Sequence, residues 1–111
     1  MMKIAMSPAA AGLLRLLLAR AGVERDRILL TEFRSTDWQS LTFVGERHEI
    51  RLRIPPPNSE TIASQLVDGL ADAEFDLWGH FVADVAIADT AVTRPDGSVE
   101  LTIEALTVAQ S

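Results

Sequence analysis

The sequence predicts a two-layer α+β sandwich, with two helices packed on one face of a mainly antiparallel sheet. Three observations carry that expectation. Apolar residues recur at helical spacing in two separate stretches, residues 8–20 and 59–70. After each of them, residues 27–54 and 78–105 keep the period-two rhythm of half-buried strands. Proline, glycine and aspartate punctuate these runs at Gly22, Gly45, Pro55–Pro57 and Pro95–Gly97. The chain of 111 residues fits one domain spanning 1–111.

The first helix starts at Ser7-Pro8, a hydroxyl for the cap and a proline whose missing N–H would have no partner there anyway. Leu13, Leu14, Leu16, Leu17 and Leu18 make it so apolar that it needs cover on more than one side, a second chain being one way to supply it. Gly22 suits its left-handed end.

In residues 27–36, Ile28 and Leu30 lie on one parity, Leu29 and Phe33 on the other. Residues 38–44 and 47–54 continue as strands. Leu41 and Phe43 are odd while Ile50, Leu52 and Ile54 are even, so the parity must change between them. A two-residue turn at Gly45-Glu46 would do this, pairing Phe43 with His48 and Leu41 with Ile50; a bulge at Gly45 is the alternative. Pro55–Pro57 ends the strand as a stiff connector. Asn58 or Ser59 then caps a second helix whose buried stripe is Ile62, Leu66, Val67 and Leu70.

Residues 78–93 form the next strand, with Phe81, Ala83, Val85 and Ile87 sharing a face. The turn that follows leaves a choice of register. A three-residue loop, Pro95-Asp96-Gly97, pairs Val92 with Glu100 and Ala91 with Leu101 and keeps apolar residues together; a two-residue loop does not. Val99, Leu101, Ile103 and Ala105 then face the core. If Lys3–Met6 adds a leading strand, the order begins as βαββαβ, ferredoxin-like, with an added C-terminal strand. Without it, the chain is a tandem helix–hairpin.

Charge is distributed unevenly. Residues 1–57 hold nine bases and six acids, net +3; residues 58–111 hold Arg94 against ten acids, net −9. Arg47, Glu49, Arg51 and Arg53 share one strand face, and Asp84, Glu100 and Glu104 offer an acidic counterpart. The total of −6 with a pI of 4.7 argues against nucleic acid as a partner. No cysteine is present, which excludes disulfides and thiol chemistry and accords with a cytoplasmic setting. The N-terminal apolar stretch is interrupted by Pro8, Gly12, Arg15 and Arg20, unlike a secretory signal or a membrane span.

No catalytic, cofactor-binding or metal-ligating set emerges. Phosphate loops and nucleophile elbows are absent, and His48 and His80 lack metal-ligand spacing. His80 and Asp84, four apart on a strand, sit about 13 Å from each other. Asp72, Glu74 and Asp76 read as solvated loop acids, and Trp38 and Trp78 as core or hairpin-edge anchors. The leading expectation is therefore a non-catalytic interaction or small-ligand module that self-associates, with Leu29, Phe33, Arg47, Arg51 and Arg53 as its candidate surface. Two other readings are an enzyme with His48 or His80 and Asp or Arg partners at a subunit cleft, and a structural subunit of a larger assembly.

Overall fold

The computed structural model describes residues 6–110. Its elements are α1 (Pro8–Arg20), β1 (Leu29–Gln39), β2 (Val44–Ile54), α2 (Ser59–Val67), β3 (His80–Ile87), β4 (Val92–Thr93) and β5 (Val99–Ala109), with short 3-10 turns at Arg25–Arg27 and Leu70–Asp72. The strands form one antiparallel sheet in the order β1-β2-β5-β3, and β4 pairs with β5 beyond the end of β3. Each half of the chain is thus a helix followed by a hairpin, and the halves join through β2 and β5. Both flanks of β2 are taken, by β1 and β5, so a ferredoxin-like order does not emerge among the described residues. Of the optional leading strand at Lys3–Met6, residues 3–5 lie outside the described residues, and Met6 is not in a strand.

Both helices cover one sheet face. Leu13, Leu14 and Leu17 of α1 and Ile62, Ala63 and Leu66 of α2 meet Ile50, Leu52 and Ile54 of β2 and Val99, Leu101 and Ile103 of β5 in one core. Ser7 caps α1 by accepting the Ala10 N–H at 3.1 Å, and Pro8 takes the first helical position. The surplus apolar surface of α1 finds its cover inside the chain: Gly12 abuts Leu77, and Leu16 and Leu18 are half-buried. Arg20 donates to the carbonyls of Leu66 (3.3 Å) and Asp68 (2.6 Å), tying the end of α1 to the end of α2.

The structure corrects the reading of the first hairpin. Its turn is Ser40–Phe43, not Gly45-Glu46, and Gln39 pairs with Val44. The Ser40 N–H donates to the Phe43 carbonyl (2.8 Å), and the Ser40 hydroxyl accepts the Phe43 N–H (3.1 Å). Leu41 is thereby left in solvent at the turn tip. Gly45 sits inside β2, opposite Val108, where a Cβ would collide with the Thr107 backbone carbonyl. Glycine is there for a close approach, not a turn, and no parity change is needed.

Two bulges account for the other departures. At Thr31 the register of β1 shifts by one, so Leu30 (opposite Leu52) and Phe33 (opposite Ile50) both face the helices while Leu29 (opposite Arg53) faces away. At Ala83 the same happens in β3: Val82 and Val85 face the helices and Phe81 does not. The expected common face for Phe81, Ala83, Val85 and Ile87 is therefore broken.

The last hairpin keeps the three-residue loop, with Val92 opposite Glu100 and the Arg94 N–H donating to the Ser98 carbonyl at 2.8 Å. After Ala88, whose N–H still donates to the Thr102 carbonyl at 2.8 Å, residues 89–91 leave the sheet, and Ala91 does not pair with Leu101. Trp78 is no core anchor. It occupies the tip of a tight turn, Leu77–His80, in which Gly79 takes φ = 77°, so Leu77 is buried and Trp78 is 97% exposed.

Candidate functional site: the open face of the sheet

Alternate residues of the four long strands point away from the helices, onto a face that no described element covers fully. The pairing converts the charge asymmetry of the sequence into a side-to-side split. On the β1–β2 half lie Arg34, Arg47, Arg51 and Arg53 with Glu32 and Glu49; on the β5–β3 half lie Glu100, Glu104 and Asp84.

The arginines have different tasks. Arg53 donates to the Ser98 hydroxyl (3.2 Å) and pairs with Asp96, which pins the 94–98 turn. Hydrogen bonds from the Ser98 side chain and backbone, reinforced by Arg53, hold the Asp96 carboxyl down at about 2. Arg51 lies 3.3 Å from Glu32, which also pairs with Arg34 at 2.8 Å. The Arg34 hydrogen bond, with both guanidinium charges, holds the Glu32 carboxyl below its ordinary range. Arg47 is exposed and has no carboxylate at ion-pair distance among the described residues.

Two depressions mark this face. One, of about 300 Å³, lies among Arg34, Thr36, Arg47, Glu49 and Glu104. The other, of about 560 Å³, is framed by Glu32, Arg51, Val92, Glu100 and Thr102 on the sheet and by Asp89 and Thr90 of the segment that leaves it.

One end of the sheet is apolar. The first-hairpin turn and the start of β3 place Leu41, Phe43, Val44, Trp78 and Phe81 at this end, five of the eight large exposed apolar residues among those described, with Leu41 and Trp78 standing free in solvent and Val44 turned to the helix side of the sheet. Phe43 and Phe81 meet edge to face, ring centres 6.5 Å apart at 88°. Trp38 lies in the same row, opposite Gly45 and thence Val108 and Phe81.

Of the five candidate residues, Leu29, Arg47, Arg51 and Arg53 share the open face, but Leu29 and Arg53 sit at the end away from the aromatics. Phe33 lies on the other face, tilted against His48 with ring centres 6.0 Å apart. Sequence reading missed Phe43 and Phe81 as a surface because two hairpins must meet to form it. Trp78-Gly79 before a strand was a readable sign of an exposed turn.

His48 is 2% exposed. Its Nδ1 is 2.7 Å from the Ser35 hydroxyl and its Nε2 is 2.8 Å from the Thr107 hydroxyl, so both ring nitrogens are occupied. Burial pushes its pKa below the ordinary histidine value, the nearby Glu46 opposing and His80 assisting. Glu46 itself accepts the Ser7 hydroxyl at 2.6 Å. His80 is half-buried and 3.4 Å from the Trp78 carbonyl. Among the described residues no three His, Asp or Glu side chains converge as metal ligands would, and no helix is long and apolar enough to cross a membrane.

Comparison with known proteins found no family model, no curated protein and no solved structure with a significant match to this chain.

Proposed function

We propose that this protein is a non-catalytic interaction module of the cytoplasm that works as a homodimer or small oligomer. The apolar end of the sheet carries the reading. The Phe43–Phe81 pair, with Trp78 exposed at the same end of the sheet and charge beside it, has the make-up of an association surface, with aromatic anchors and polar surroundings. The enclosed His48, held by two hydroxyls and no carboxylate, favours a structural role for that residue over acid–base work. The test is the solution mass by light scattering across a concentration series. A dimer or larger species that Trp78→Ser with Phe81→Ser converts to monomer supports the reading; a monomer at every concentration overturns it.

A second reading rests on the 560 Å³ depression. Arg51 beside Glu32, Glu100 and Asp89 with three threonine hydroxyls suits a small zwitterion, its carboxylate on the guanidinium and its ammonium on the acids. Free amino acids that raise the melting temperature of the wild type, but not of Arg51→Met, would support it.

A further inference from the structure

We infer that the partner on the open face is a second copy of this chain, packed face to face about a two-fold axis that lies along the strands, between β2 and β5. The inference rests on the self-association reading and specifies its geometry. Two stacked sheets keep their strands within about 30° of each other, which leaves two choices for an in-plane two-fold: along the strands or across them.

An axis across the strands sets each strand over its own copy. The β1–β2 arginines would then face arginines, and the β5–β3 acids would face acids. An axis along the strands exchanges the halves. The β1–β2 half, with more arginines than acids on this face, then lies over the acidic β5–β3 half of the other copy. Arg47 sits over Leu106 of that copy's β5 with Asp84 in the same row one strand further on, and the one like-charge pair set face to face is Glu49 with Glu104. The same axis keeps the ends in place, so the Trp38–Phe81 row of one copy meets that row of the other in opposite order, aromatics on aromatics. Four strands of about ten residues present a face on the order of 600 Å², close to what each partner of a stable dimer contributes. Growth through the sheet edges is disfavoured instead, since both edge strands, β1 and β3, carry a bulge and charged side chains.

Because the chain has no cysteine, single introduced thiols report this geometry without background. Thr36→Cys on β1 and Ala86→Cys on β3 both lie on the open face. The two copies are mixed, the solution mass is recorded, and a short bifunctional maleimide is added. The expected result is a dimer in which Thr36→Cys joins Ala86→Cys, while neither variant joins itself. Self-joining of each variant without the mixed product would mean an axis across the strands and overturns the inference. A dimer that gives no product places the interface elsewhere and also overturns it, leaving self-association itself intact. A monomer at all concentrations removes both. As an independent readout, Arg47→Glu should weaken the dimer at least tenfold, and adding Asp84→Arg should recover most of that loss; no change with Arg47→Glu overturns the charge pairing.

Discussion

His48 shows how one buried side chain can be mistaken for chemistry in a sequence and turn out to organise a fold. Its ring fills space beside Phe33 while its nitrogens satisfy the Ser35 and Thr107 hydroxyls across the sheet. Truncation to alanine leaves a cavity and a buried Thr107 hydroxyl without its partner, and we expect His48→Ala to cost about 3 kcal/mol in urea unfolding. The ring also makes stability depend on pH. Its folded pKa lies below the unfolded value of about 6.5, so the unfolded chain takes up the proton more readily. Stability is therefore full above about pH 6.5 and falls as the pH drops through the folded value. The denaturation midpoint should decline between pH 7 and 5 in the wild type and stay flat over that span in His48→Gln; parallel profiles would contradict this. Gly45 is the other decisive residue. Gly45→Ala forces a Cβ against the Thr107 carbonyl, and a loss of about 2 kcal/mol in the same assay is expected.

At the scale of elements, caps and tethers do distinct work. Ser7 both caps α1 and donates to Glu46, so Ser7→Ala should lower stability by about 1 kcal/mol, read from the thermal midpoint. Arg53 and Arg47 occupy one strand face, yet only Arg53 holds the final turn. Arg53→Ala should speed hydrogen exchange at the Ser98 amide and Arg47→Ala should not; equal effects would mean the turn does not depend on that tether. The bulges explain which elements could be read in advance. The β5 alternation, the α1 cap and the three-residue turn were legible because each is a local rule. Strict alternation puts Phe33 and Phe81 on the wrong faces because one extra residue, at Thr31 and at Ala83, reverses every face assignment on one side of it. Nothing in the local sequence around Thr31 or Ala83 announces that extra residue.

For the whole molecule, the nine cations of the first half are not a free reservoir. Arg20 and Arg27 bind backbone carbonyls at the ends of the second helix and the proline connector, and Arg53 binds the last turn. Arg20 and Arg53 thus tie the net +3 half to the net −9 half, while Arg27 acts within its own half, and the proposed association draws chiefly on the apolar end. Salt then has a specific expected effect. Screening shortens from about 8 Å at physiological salt to about 3 Å at 1 M, so the dimer should weaken as the Arg47 contribution fades but should persist through its aromatic contacts. Complete dissociation at 1 M salt, measured by sedimentation velocity, would assign the interface to charge alone.

Periodicity, capping and turn chemistry were enough to assign the two-layer class, both helices and the inward residues of β2 and β5, because each depends on neighbours within a few positions. The order β1-β2-β5-β3, the purpose of Gly45 and the meeting of Phe43 with Phe81 depend on contacts between residues tens of positions apart. Such contacts exist only once two hairpins share an edge. A glycine that avoids a carbonyl 62 residues later, in β5, looks in the chain like a glycine that makes a turn. The candidate surface came into view with the sheet because it belongs to neither half alone.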